Sequence, residues 1–333
     1  MDIQILTYQQ LDKVAWEVLV STSQFATFFQ TPACYDFYAS LPFMESFAYG
    51  VEQDGELVGV MQGYITLETN PIKQRLTRRA IIIGGPLLAE NIQMDALQKL
   101  LVFVRQQLRN KAIYLETRNF HDYSAYRNCF EKAGWNYQPH LNFYVDTSSM
   151  DTLMANMGKS RKRDIKTSLR DGAQIIEKPT LEQVKAYYAI LLDLYKTKVK
   201  TPLFPFYFFE KLYALPEARF LLVEWQGEII GGTVCVVLEG KAMYEWFACG
   251  KDGISKSIFP STLATYAGMA YAAEHHLPLF DMMGAGKPEE SYGVRDFKAK
   301  FGGELVEHGR YLCVCQKWLY QIGKWGVSLM KKR

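Results

Sequence analysis

The chain has 333 residues, 49% of them hydrophobic and 22% charged, and its 38 basic and 35 acidic side chains leave a net charge of +3. That length suits two domains of ordinary size rather than one core, no low-complexity tract points to disorder, and the small net charge does not call for DNA or other nucleic acid as a partner of the whole chain. No apolar run approaches the length that spans a bilayer, and the start, MDIQILTYQQ, lacks a basic segment followed by an apolar core, so a cytoplasmic location is expected. The six cysteines (Cys34, Cys129, Cys235, Cys249, Cys313, Cys315) show no Cys-x-x-Cys spacing and read as buried free thiols. The five histidines lack HExxH or Cys-pair spacing, so no metal is expected. No Gly-x-Ser-x-Gly elbow, Walker A loop or dinucleotide fingerprint is present, which removes the hydrolase, P-loop and Rossmann readings.

Taken in chain order, the first clear element is a hairpin in Val51–Gly59, two alternating apolar runs around Asp54-Gly55, whose second strand continues over Leu57–Ile65. Helix Met94–Leu108, strand Ala112–Glu116, helix Tyr123–Ala133 and strand Trp135–Val145 follow. A basic helix is then expected over Gly158–Gly172, GKSRKRDIKTSLRDG, carrying Lys159, Arg161, Lys162, Arg163, Lys166 and Arg170; it suits either a phosphate- or RNA-facing surface or a solvated linker. After a further helical run, Leu181–Lys200, the hairpin recurs as Val223–Gly231 around Gln226-Gly227, with its second strand over Ile229–Leu238. Strand Lys241–Ala248 places Tyr244 and Trp246 on one face by its period of two. Helix Ser257–His275, strand Leu279–Asp281, helix Tyr292–Lys300 and strand Leu305–Val314 complete a second copy of the same order. The duplication predicts an α/β protein with two mixed sheets. Its expected domains are 1–148 and 149–315, with a C-terminal helix over 316–333 packing on the first. In that tail Trp318, Ile322, Trp325 and Leu329 fall at helical spacing beside Lys317, Lys324 and Lys331, a pattern that fits helix docking or a membrane surface.

The densest stretch is Asp281–Tyr311. Gly284 and Gly286 free the backbone where a strand meets a loop, and Lys287, Arg295, Lys298 and Lys300 follow, which suits an anionic ligand. A glycine-rich turn before a solvated basic helix would look the same. Asp281 ends its strand where α/β clefts open and suits proton transfer, but Glu289 and Glu290 lie near, and sequence does not rank the three carboxylates.

The order Asp-x-x-Gly-x-Gly, then Tyr292-Gly-Val-Arg-Asp-Phe-Lys-Ala-Lys-Phe-Gly-Gly303, resembles the C-terminal signature of the FemABX family of peptidoglycan aminoacyltransferases, whose members are similar to two fused GNAT acyltransferase domains. The resemblance implies two tandem GNAT-like domains and amide formation between an amino acid carried as aminoacyl-tRNA and an amine of a peptidoglycan precursor, nucleotide- or lipid-linked. It implies a site in the second domain: Lys298 and Asp281 for catalysis; Phe297, Arg295, Tyr244, Trp246, Gly284, Gly286, Lys287, Tyr292, Arg161 and Arg163 for substrate. Phe29-Gln30-Thr31-Pro32 resembles the family's N-terminal Phe-Gln-Ser/Thr segment, although Cys34 stands where the family has tryptophan and a lysine expected near Tyr38 is missing. No cofactor is implied. The segment Gly250–Ser261, GKDGISKSIFPS, does not match the loop with which ordinary GNAT enzymes hold the coenzyme A pyrophosphate. An acyl-CoA-dependent N-acyltransferase, or a non-catalytic anion-binding protein of the same fold, are the other readings. A lipid-linked acceptor would place the chain peripherally at the inner membrane face.

Overall fold

The computed structural model describes residues 2–68, 70, 74 and 76–331, the side chains of 326–331 excepted. The chain begins with β1 (Ile3–Thr7), α1 (Lys13–Thr22), α2 (Pro32–Ala39) and the hairpin β2 (Met44–Gln53) and β3 (Glu56–Thr66). Next come β4 (Arg79–Gly84), β5 (Leu87–Leu88), α3 (Met94–Leu108), β6 (Tyr114–Asn119), α4 (Arg127–Lys132) and β7 (Asn136–Gln138). The second half opens with β8 (Leu141–Asp146), α5 (Met150–Asn156), α6 (Lys159–Arg170), β9 (Gln174–Ile176), α7 (Leu181–Leu194) and α8 (Phe206–Tyr213). It continues through β10 (Ala218–Trp225), β11 (Glu228–Leu238), β12 (Ala242–Gly250), α9 (Pro260–Glu274), β13 (Leu279–Asp281), α10 (Gly293–Ala299) and β14 (Glu304–Glu307). The chain ends with β15 (Arg310–Val314) and α11 (Lys317–Lys331).

The repeat holds in three dimensions. Asp54 and Gly55 have φ of 48° and 86°, and Gln226 and Gly227 have 55° and 79°, the left-handed pairs that a two-residue type I′ turn needs. Val51 faces Gly59 and Val223 faces Gly231; one residue on, both registers slip, so that Glu52 faces Leu57 and Glu224 faces Ile229. The same bulge at the same place in both hairpins is stronger evidence of duplication than nine similar letters.

One sheet runs β1-β2-β3-β4-β6-β15-β7 with β5 also on β3; the other runs β14-β8-β13-β12-β11-β10-β9. Both are mixed: β4 pairs with β6, and β12 with β13, in parallel, among antiparallel neighbours. Against the first sheet α3 lays Leu97, Leu100, Leu101, Val104 and Leu108, at the spacing of one helical face. Each such side chain contributes roughly 1.5–3 kcal/mol by leaving water. In the second unit α9 does the same with Leu263, Ala264 and Ala267 against Met243 and Phe280.

Two expected strands are each divided. Trp135–Val145 is β7 in the first sheet and β8 in the second, and Leu305–Val314 is β14 in the second and β15 in the first. The compact units are therefore Met1–His140 with Glu307–Arg333, and Leu141–Val306, rather than 1–148 and 149–315. The backbone bonds decide this: β8 pairs with β13, while β15 pairs with β6 and β7, and Gly309, at φ 64°, makes the turn. The run Leu181–Lys200 is α7 followed by a five-residue π turn, Tyr195–Val199. All six cysteines are free, and five are buried.

Candidate active site

β12 and β13 are paired in parallel for three residues only, Ala242 with Leu279, Met243 with Phe280 and Tyr244 with Asp281. β12 then runs on to Gly250, while the chain after Asp281 stays with β8. Met282 N donates to Phe143 O (3.0 Å), Ala285 N to Leu141 O (2.7 Å) and Leu141 N to Gly286 O (2.8 Å). Neighbouring strands thus part at their C-terminal ends, where α/β sheets hold ligands. The parting chain arches through Met283, Gly284 and Gly286, with φ of 50°, 85° and 77°. A Cβ on Gly286 would also lie 3.0 Å from the Tyr292 ring, so glycine is needed there twice over.

Asp281 sits at the fork and is fully buried. Its Oδ1 accepts from Asn142 Nδ2 (2.7 Å) and Met283 N (2.7 Å), whereas Oδ2 has no partner among the described residues. Burial pushes its pKa up to about 7, against the hydrogen bonds of Asn142 and Met283 and the charge of Lys298, which pull it down. Tyr244, paired beside it, is buried too, and its phenol is pushed well up by burial and by the Asp281 charge.

Lys298, on α10, is buried at 8% exposure, and its ammonium donates to the carbonyls of Met282, Met283 (3.3 Å) and Gly284 (2.8 Å). Its three donors are thereby satisfied, and it bolts the arch in place. Burial lowers its pKa, while Glu245 and Asp281 act to raise it. Its positive charge is therefore placed under the fork, while its hydrogen bonds go to the backbone.

The strict alternation expected for β12 is broken by a bulge. Tyr244 faces Val236, Glu245 faces Cys235 and Phe247, not Trp246, faces Val234. Trp246 stacks on Phe247 (5.7 Å) and meets Phe208 edge-on (5.3 Å). Glu245 is a second buried carboxylate, raised by burial and held by Thr265 and Thr233, with Oε1 unpartnered among the described residues. Sequence reasoning passed over it and over Asn142, whose Oδ1 also accepts from Gly284 N (2.8 Å). The available signal was an acidic residue inside the aromatic run Met-Tyr-Glu-Trp-Phe, since an unpaired charge seldom sits in a core strand without a purpose.

Other expected residues fall into two groups. Arg295 Nε donates to Ala285 O (2.8 Å), and its Nη2 donates to Lys287 O, so it braces the arch from outside. Tyr292, Lys287, Glu289 and Glu290 are exposed, and Lys287 pairs with Glu290 at 3.6 Å; of the three carboxylates only Asp281 is buried. Arg161 turns inward from α6, its guanidinium 4.4 Å above the Phe297 ring and 3.1 Å from Thr262 Oγ1. Arg163 points outward and bonds Asp164 (3.0 Å). Gln30 of the Phe-Gln-Thr segment is buried in the first unit, its Nε2 donating to Gly85 O (3.0 Å).

No family model matches the chain, and no curated protein matches its sequence. Solved structures do match in fold. The crystal structure of FemX aligns at TM-score 0.73 over 97% of this chain and 99% of that one, at 14% identity. A tandem GNAT protein from the clavulanic acid biosynthesis pathway aligns at 0.60 over 94% and 99%, at 12% identity. L-PGS from Bacillus licheniformis aligns at 0.56 over 94% and 96%, at 13% identity. The chain therefore has a mixed α/β, tandem GNAT-like fold, which it shares with FemX and with that tandem GNAT protein.

Proposed function

We propose that this chain is an N-acyltransferase that joins an activated amino acid, carried as aminoacyl-tRNA, to an amine of a peptidoglycan precursor in cell-wall synthesis. The observation that carries the reading is the unpartnered Oδ2 of Asp281 at the fork between β12 and β13. A carboxylate with a pKa near 7 is matched to taking a proton from an acceptor ammonium at neutral pH. The freed amine then attacks the ester carbonyl and the ester C–O bond breaks; of the two protons that the nitrogen loses in all, one ends on the leaving hydroxyl and the other passes to solvent. Lys298 acts through its charge on the oxyanion while holding the arch. No covalent protein nucleophile is required.

Acceptor binding is assigned to Tyr244 and Trp246 on β12, Phe297 on α10, and Gly284, Gly286, Lys287, Tyr292 and Arg295 around the arch, with the cations taking carboxylate or phosphate groups. An RNA carrier is supported by α6, whose Lys159, Arg163, Lys166 and Arg170 are all exposed. Coenzyme A as carrier is disfavoured by a specific contact. The long helix α9 begins with Pro260, which has no N–H, and the next N–H, of Ser261, is taken by Asp252 Oδ1 at 3.0 Å, so a carboxylate stands where a pyrophosphate would sit. No described helix is long and apolar enough to cross a membrane; with a lipid-linked acceptor the chain would work at the inner membrane face.

The test is incorporation of a labelled amino acid into lipid-linked muropeptide in the presence of charged tRNA, with and without ribonuclease. Ribonuclease-sensitive incorporation is expected. Turnover with acyl-CoA and no RNA would replace this reading with the coenzyme A one.

A further inference from the structure

Over Lys317–Trp325 the C-terminal helix α11 is docked by one side and open to solvent on the other. Tyr320 packs edge-on against Tyr114, ring centroids 5.5 Å apart. At about 100° per residue, Trp318, Ile322 and Trp325 fall in one narrow stripe turned away from Tyr320. They are 84%, 49% and 68% exposed. Leu329 continues the stripe by spacing, but its side chain and that of Lys331 lie outside the described residues.

Two exposed tryptophans one helical face apart are an unusual surface for a soluble partner-free helix. The charge around them narrows what covers them. From Lys317 to the end of the chain there are Lys317, Lys324, Lys331, Lys332 and Arg333 and no acidic residue. A second copy stacked on the same stripe would bring two such cationic segments together, which like-charge repulsion opposes. An anionic bilayer surface suits both features, since tryptophan settles at the level of the headgroups and lysines around the helix reach lipid phosphates.

We propose that α11 is a membrane-surface anchor, lying in the plane of an anionic bilayer with Trp318, Ile322 and Trp325 inserted. Its link to turnover rests on the lipid-linked acceptor proposed above; the binding itself does not.

The test is flotation of the full chain with vesicles of phosphatidylcholine plus phosphatidylglycerol, and with phosphatidylcholine alone, at low salt. The wild-type chain is expected to float with the anionic vesicles and far less with the neutral ones. Trp318→Ser with Trp325→Ser should cut that partition roughly tenfold or more. Lys317→Gln with Lys324→Gln should cut it by roughly fivefold per lysine, on anionic vesicles only. Because these side chains are exposed, thermal unfolding should not move, and transfer to a soluble nucleotide-linked acceptor should match the wild type. No flotation of the wild-type chain overturns the proposal, and so does flotation indifferent to the tryptophans, or a dimer that the tryptophan variant dissolves. If the wild-type chain floats as expected yet transfers no amino acid to any acceptor, the acyl-transfer reading fails and the anchor stands.

Discussion

The two units place a carboxylate on the corresponding strand of the repeat and treat it in opposite ways. In the first unit Glu116, on β6, bonds Arg118 Nε (2.8 Å) and Arg310 Nη1 (3.1 Å). Burial would push its pKa up, but the two guanidinium charges more than offset this and hold it below the ordinary range. In the second unit Asp281, on β13, has no ion-pair partner among the described residues, the donors of Lys298 being spent on backbone carbonyls, and burial raises its pKa to about 7. The sheets differ in step with the charges. β4 and β6 stay paired over six residues to Gly84 opposite Asn119, and Gln30 and Tyr123 bond the carbonyls just beyond, whereas β12 and β13 part after three. A part-buried carboxylate paired with two guanidinium groups within a closed sheet suits a structural role; a fully buried one left half-satisfied at a fork suits the proton transfer proposed above.

The largest effect that tests this contrast is that of Asp281→Asn. Asparagine keeps the oxygen that accepts from Asn142 and Met283 but cannot take a proton, so kcat/KM should fall about 10²- to 10⁴-fold. Stability should respond with a particular sign. Because the folded pKa is raised, the folded state binds more protons than the unfolded one between roughly pH 4 and 7, and wild-type stability falls as pH rises through that window. The full drop is on the order of 4 kcal/mol, and the variant should lose that slope in melts run across the window. If the slope persists in the variant, the titrating group is not Asp281.

Glu116→Gln should produce the reverse pattern. It strips the shared counter-ion from Arg118 and Arg310, whose side chains are 34% and 27% exposed, so the cost is screened and is about 1–3 kcal/mol rather than that of a fully buried pair. A lowered folded pKa contributes stability that is present above the unfolded value and is lost as pH falls through the folded one, so the variant should differ least from wild type in acid. Turnover per folded molecule should be unchanged. A catalytic loss as large as that of Asp281→Asn would mean that the first unit also carries chemistry.

Much of the fold was legible from sequence, and the illegible part has a physical reason. Helix Met94–Leu108 and strand Leu279–Asp281 fall where the patterning predicts, because an apolar face leaves a period in the chain. The hairpins were marked by turn residues that tolerate left-handed φ. The split of Trp135–Val145 between two sheets was not legible, since periodicity reports which residues face a core and not which strand receives the hydrogen bonds. The bulge at Trp246 escaped for the same reason. Lys298 was recognisable as a residue of interest, but its satisfaction by three carbonyls depends on the left-handed arch that Met283 enters without being glycine. Glu245 and Asn142 come into play only through strands distant in sequence.

A subtler change separates field from contact. Glu245 raises the pKa of Asp281 through its charge, and no direct hydrogen bond joins the two. Glu245→Gln removes the charge and preserves the shape, so the acid limb of the kcat/KM profile should move to lower pH by less than about one unit, with kcat at its plateau little altered. A shift to higher pH would place the negative charge elsewhere.

The smallest effect concerns the loop beyond the arch, where Lys287 and Glu290 form a pair whose side chains are 48% and 55% exposed. An ion pair open to solvent contributes about 0–1 kcal/mol, so Lys287→Ala should leave the melting curve nearly in place. If Lys287 serves only to hold an anionic group of the acceptor, its loss should raise KM several-fold at constant kcat, the mark of binding that is equal in ground and transition states. A fall in kcat with KM unchanged would instead tie the exposed loop to the chemical step, and the proposed division between a reactive buried fork and a merely recognising rim would have to be redrawn around residues that sit in water.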